Sequence, residues 1–243
     1  MPQTVRLLLL VILLGSLAAC STFRPRIAGA KNTSKTFATV VVDAGHGGKD
    51  TGAYRRSGPP EKIATLDVAK RLDRKLRESQ IKTVMTRSTD VFIPLDERVA
   101  IENRQKNSIF VSVHFNDSRR RGIHGFETYY HSPSGRELAE RIQAKLMTIP
   151  HSADRGVHTA NFRVLRLATY PAVLVECGFL SNRKEGGQAR DDEYRELLAD
   201  KIAEAIVEQR YGEGVYRVQA QAYVPPPGQG QRPGLAPETL RTR

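Results

Sequence analysis

The chain has 243 residues, 40% of them hydrophobic, with 38 Lys and Arg against 26 Asp and Glu and no Trp. That length suits one globular domain with tails, and the apolar fraction is enough for a packed core, which excludes wholesale disorder. Two cysteines are too few for a disulfide-stapled scaffold, and of the net charge of +12 only about +5 falls within residues 36–212. The first twenty residues, MPQTVRLLLLVILLGSLAAC, place one Arg before an unbroken run of apolar and small residues over 7–19. Thirteen residues are too short for a bilayer span, which takes roughly 20, but they suit the apolar core of a signal peptide.

The run ends in Leu17-Ala18-Ala19-Cys20, which resembles the bacterial lipoprotein signal box. The resemblance implies that residues 1–19 are removed and that Cys20 becomes the acylated first residue of an exported chain. A lipid membrane is then a partner through that cysteine. Ser21 after the cysteine implies the outer membrane, facing the periplasm, if the cell is Gram-negative. An ordinary cleaved signal with an incidental Cys20 is the alternative. Residues 20–35 carry Arg24, Arg26, Lys31 and Lys35 without apolar periodicity and read as a basic tether. With Cys20 acylated, Cys177 is the one thiol left, and no intrachain disulfide can form.

Residues 36–212 alternate strand-like and helix-like segments, which predicts an α/β domain. Residues 38–43 (ATVVVD) form a β-branched run ending in a glycine-rich turn. After Pro59-Pro60, the spacing of Ile63, Leu66, Ala69, Leu72 and Leu76 predicts a helix. Residues 81–86 read as a strand and 95–106 as a charged helix. Residues 108–114 (SIFVSVH) alternate as a strand should, and 125–130 predict another. Ser132-Pro133-Ser134 opens a helix to about Met147. Residues 163–167 and 172–176 are strand-like, the second wholly apolar until its last residue and suited to the middle of a sheet. Tyr194, Leu197, Leu198, Ile202 and Ile206 mark a long final helix, and residues 213–243 shift to a Pro-, Gly- and Gln-rich tail.

Three polar residues stand where bare packing would not put them. His46 lies just past the first strand, in Asp43-Ala44-Gly45-His46-Gly47-Gly48, where glycines let the backbone turn and leave the imidazole uncrowded. Glu61 starts the first helix, and His114 ends an apolar strand. Two imidazoles and a carboxylate are a three-ligand set that would leave zinc an open fourth position. Glu176, at the end of the apolar strand, is a second carboxylate with no sequence neighbour to pair with, and a desolvated lone charge is costly without a role. Beside a metal centre it could serve as general base and then acid. Each residue also has a plainer reading. Glu61 could simply favour the positive end of a helix, and either histidine could be structural. A phosphate loop at His46 lacks the Gly-Lys-Ser/Thr ending. Cys177 suits a small buried hydrophobe better than a nucleophile.

The ordered motifs are together more specific. Val41-Val42-Asp43-Ala44-Gly45-His46-Gly47-Gly48-Lys49-Asp50-Thr51-Gly52-Ala53 resembles the opening motif of the Amidase_3 type of zinc-dependent N-acetylmuramoyl-L-alanine amidases. Glu61-Lys62, Thr86-Arg87-Ser88-Thr89-Asp90 with Leu95 and Arg98, Ser112-Val113-His114-Phe115-Asn116, and the segment from Pro171 through Glu176 to Asn182 follow in the family's order. The resemblance covers about 38–211 and implies one zinc ion on His46, Glu61 and His114, with Glu176 as the catalytic carboxylate. It implies a single domain with a twisted, mostly parallel sheet of about six strands flanked by helices. The implied activity is that of a peptidoglycan hydrolase cutting the amide between the lactyl group of N-acetylmuramic acid and L-alanine.

Some members of that family carry a helical plug over the zinc site, whereas only the short stretch 115–125 separates His114 from the next strand here. An open site is expected, restrained by location or by an unidentified activator. No wall-binding module is recognised, and Glu102-Asn103 stands where the family prefers Ala-Asn, a small departure from the pattern. Arg119-Arg120-Arg121 follows His114, either as a contact for anionic wall polymer or stem-peptide carboxylates or as a solvated loop. Nucleic acid is not an expected partner, because the core is mildly basic, aromatics are sparse and the signal exports the chain. A monomer is expected. The alternatives are a zinc peptidase cutting within the stem peptide and a non-catalytic peptidoglycan-binding lipoprotein.

Overall fold

The computed structural model describes residues 31–216; the signal segment, Cys20 and most of the tether and tail lie outside the described residues. Six strands form one sheet: β1 (Thr39–Ala44), β2 (Lys82–Met85), β3 (Ser108–Asn116), β4 (Phe126–Tyr130), β5 (Asp154–Thr159) and β6 (Ala172–Phe179). Their spatial order is β2-β1-β3-β6-β4-β5. The first four in that order run parallel, β4 is antiparallel to β6, and β5 runs parallel to β4. The helices are α1 (Glu61–Glu78), α2 (Leu95–Asn103), α3 (Pro133–Leu146), α4 (Arg163–Arg166), α5 (Arg183–Gln188) and α6 (Asp192–Tyr211). Among the described residues no helix is long and apolar enough to cross a membrane.

The two faces of the sheet are unequal. Val40, Val42 and Ala44 of β1, Val111 and Val113 of β3 and Val173, Val175 and Cys177 of β6 pack with Leu72, Leu138 and Ile202 of α1, α3 and α6 in the main core. The opposite face is thinner: Val41, Phe110 and Leu174 pack against Val99 of α2 and Val164 and Leu165 of α4. Strand alternation carries this thin face from apolar to polar as each strand nears its C-terminal end. Val41 gives way to Asp43, Phe110 to Ser112 and His114, and Leu174 to Glu176. The polar residues therefore gather at the carboxyl ends of the central parallel strands, the usual ligand position in such sheets.

Several local expectations differ from the fold. Residues 163–167 are not a strand; Arg163–Arg166 is the one-turn helix α4. Consecutive Val164 and Leu165 are both buried in the thin-face core, and a helical turn can aim neighbours to one side where a strand sends them to opposite faces. Strand β5 was not legible, because it is a half-exposed edge with Gly156 at φ 90° and needs little apolar pattern. The second helix stops at Asn103, short of Lys106.

Glu102, the departure from the family pattern, is fully buried, accepting hydrogen bonds from the Thr169 and Tyr170 N–H groups just before β6. Burial pushes its carboxyl up to about 7. Packing also reaches past both ends of 36–212. The Thr33 hydroxyl donates to the Ser108 carbonyl, and Tyr216 is buried with its hydroxyl donating to Asp200 at 2.8 Å.

Candidate metal centre and active site

The loop leaving β1 is shaped by two buried arginines. Arg98 donates to Asp43 Oδ1 and to the Ala44 carbonyl, both at 2.6 Å, and to the His46 carbonyl at 2.5 Å. Arg87 holds the Ala44 and Gly45 carbonyls at 2.9 and 2.6 Å. Asp43 also accepts from the hydroxyls of Thr86 and Ser112 at 2.6 Å each. Burial alone would raise the Asp43 carboxyl, but Arg98 and these hydroxyls outweigh it and hold it below the usual aspartate range. With its carbonyl anchored, His46 sits at φ 60°, a strained conformation for a side-chain-bearing residue.

His46, Glu61 and His114 converge. Their ligand atoms all lie within 4.8 Å of one another, and Glu61 Oε1 is 3.0 Å from both His46 Nε2 and His114 Nδ1. The outer nitrogen of His46, Nδ1, lies 2.9 Å from Asp50 Oδ2. That partner orients the ring and leaves Nε2 facing the site, the usual outer-shell arrangement around a ligating histidine. Glu61 is buried and accepts from the Phe115 N–H at Oε1 and the Ala53 N–H at Oε2. Burial opposes its charge, yet the two histidines win and pull its carboxyl well below the normal range. Glu61 therefore does more than face the positive end of α1. The glycines matter by closeness: a Cβ on Gly45 would lie 2.3 Å from the His114 ring, and one on Gly52 2.6 Å from both Glu61 Oε2 and His46 Cδ2. Two half-buried imidazoles, a buried carboxylate and an oriented outer ligand fit a divalent metal ion.

Glu176 stands beside this trio on β6, in register with His114 of β3 and with Glu127 of β4. Its Oε2 is buried without a hydrogen-bond partner among the described residues. Burial, reinforced by the charges of Glu61 and Glu127, holds the Glu176 carboxyl well above the usual range. Glu127 was not singled out in the sequence. It is buried and saturated: Asn116 Nδ2 donates at 2.8 Å, the Tyr129 hydroxyl at 2.7 Å and Arg155 Nε at 2.5 Å. The signal that could have found it is a lone acid at an inward position of a short aromatic strand. Cys177 points into the opposite core, where burial pushes its thiol up and removes nucleophilic character.

The four residues line a cleft of about 770 Å³ together with the exposed apolar side chains of Phe92, Leu95 and Phe162. Between β3 and β4 the chain forms a loop with no inserted helix.

The family profile described as N-acetylmuramoyl-L-alanine amidase, Amidase_3, matches residues 40–208. YqiI of Bacillus subtilis, an uncharacterised protein, is 38% identical over 172 residues, covering 69% of this chain and 82% of YqiI. The N-acetylmuramoyl-L-alanine amidase LytC of Bacillus subtilis is 35% identical over 200 residues, or 81% of this chain, which spans only 40% of LytC. The solved N-acetylmuramoyl-L-alanine amidase AmiC2 of Nostoc punctiforme superposes with a TM-score of 0.68 at 37% identity, covering 70% of this chain and 95% of that one. This chain belongs to the Amidase_3 family of N-acetylmuramoyl-L-alanine amidases, enzymes that hydrolyse the cell wall.

Proposed function

We propose that this chain is a zinc-dependent amidase that separates the stem peptide of peptidoglycan from N-acetylmuramic acid at the lactyl–L-alanine amide. The observation that carries the reading is the unpaired Glu176 Oε2 set beside three converged ligand atoms in one cleft. His46 Nε2, Glu61 and His114 Nδ1 would hold the ion. When bound, zinc supplies a Lewis acid for the lactyl carbonyl and lowers the pKa of water towards about 7. Glu176 then has two tasks. As a base it takes a proton from the attacking water, and as an acid it returns that proton to the alanine nitrogen as the C–N bond breaks. Asp50 keeps the His46 ring oriented throughout. Asn116, Tyr129 and Arg155 hold Glu127 away from that proton traffic.

The test is incubation of protein starting after Cys20 with purified peptidoglycan, with zinc and then with chelator. Intact stem peptides bearing a free L-alanine amine, lost on chelation, are the expected products by mass. Shortened stems would point to a peptidase, and no release by folded, zinc-loaded protein to a missing activator or a binding module.

We further propose that the chain is exported and lipid-anchored through Cys20. The support is the box Leu17-Ala18-Ala19-Cys20 after its apolar run. Metabolic labelling with a tagged fatty acid is expected to mark the full-length chain and to fail with Cys20→Ala. Equal labelling of both would end the proposal.

A further inference from the structure

A second hollow, of about 630 Å³, opens beside the catalytic cleft, and five of its lining residues are arginines: Arg55, Arg56, Arg119, Arg121 and Arg183. Ser57, Ser118 and Ser181 complete it, and among the described residues no acidic side chain lines it. Only Arg55 is neutralised, by a two-pronged pair with Asp117 at 2.7 and 2.5 Å. The other four make no ion pair among the described residues, so five guanidiniums around one hollow are matched by a single carboxylate. Four unpaired guanidiniums around one concavity concentrate positive charge in a domain whose overall excess is only about +5. Like charges so placed repel one another, and an anion relieves that repulsion.

The hollow adjoins the cleft along two stretches of chain. Gly52 and Ala53 line the cleft, and two residues later Arg55 to Ser57 line the hollow. Asn116 and Asp117, just past His114, line the cleft, and Ser118 and Arg119 line the hollow. Asp117 lines the cleft while it grips Arg55 of the hollow, so the two sites share a wall. The hollow therefore lies next to the place where a peptide would leave the reacting amide, and its volume is within the range of ligand sites.

We propose that this arginine-lined hollow is the subsite for the peptide half of the substrate, and that it selects peptides bearing free carboxylates near the scissile amide. The assignment rests on the amidase reading above. Guanidinium forks match carboxylates in geometry as well as charge, which favours such a ligand over a neutral peptide.

The test compares two soluble N-acetylmuramoyl-L-alanyl peptides, one with free carboxylates and one with the same groups amidated. Zinc-loaded wild-type protein is expected to cleave the acidic substrate with a kcat/KM at least about tenfold higher, through KM. The Arg56→Gln/Arg119→Gln/Arg121→Gln/Arg183→Gln variant is expected to bring that ratio close to one. Lys82→Gln/Arg104→Gln, which removes exposed charge from other elements, is the control and should keep the ratio. Circular dichroism and thermal midpoints confirm that each variant folds. Wild-type protein that cleaves both substrates equally, or a quadruple variant that keeps the preference, overturns the subsite and leaves the amidase reading standing. A control variant that loses the preference as fully overturns it too, since the effect is then one of net charge. Cleavage of neither substrate overturns the amidase reading and the subsite with it.

Discussion

Glu176→Gln is expected to lower the rate of amide cleavage by about 10³-fold, within the range that a positioned general base and acid supplies. The amide occupies the same space but can neither accept the water's proton nor return one. Glu176 is not part of the His46, Glu61 and His114 trio, so zinc content per chain should be unchanged. Folding should be unchanged as well, because the side chain has one buried oxygen without a partner and little bonding to lose. Rate, zinc content and thermal midpoint measured on one preparation separate the outcomes. A variant that keeps its rate would remove Glu176 from the chemistry, and one that loses zinc would make it part of the metal site.

Asp43→Ala should cost far more in stability. The substitution leaves the Arg98 guanidinium buried without its counter-charge and removes the acceptor for Ser112 and Thr86. Breaking a buried pair from one side costs about 3–5 kcal/mol. Denaturant unfolding of the metal-free protein measures it directly. Arg98 also anchors the Ala44 and His46 carbonyls, so zinc affinity should fall together with stability. The pH dependence has a definite sign. The Asp43 carboxyl is held below its unfolded value, so its contribution is complete above the ordinary aspartate range and is lost as pH falls through the folded pKa. Asp43→Ala should flatten that acid limb. An unfolding free energy within about 1 kcal/mol of wild type would mean that Arg98 finds other partners.

These two residues were not equally legible. Glu176 stands out in one dimension as a charge closing an apolar strand, and His46 is marked by its glycines. Asp43 lies inside a motif whose histidine draws the eye, and nothing nearby shows that two arginines, 44 and 55 positions later, will fold over it. Glu127 is hidden for the same reason. Its neighbours in space come from the end of β3 and from β5, an edge strand with too little apolar pattern to be recognised. The helix α4 was misread because a Val-Leu pair between arginines fits a short strand as well as one helical turn. Only the position of the thin-face core decides between them.

By itself the sequence determined the α/β class, the order of the motifs and the family they resemble, and it marked four candidate site residues, because each of these rests on local pattern: periodicity, a glycine turn, a charge out of place. The tertiary structure alone decided which of those residues meet. Parallel register sets His114 against Glu176, the turn after β1 carries His46 over Glu61, and the sheet's unequal faces send the polar ends of three strands into one cleft. It alone also gathered arginines from three separate segments around a single hollow. Register and convergence are contacts between residues distant in the chain, set by packing of the whole core, and no local stretch of sequence contains them.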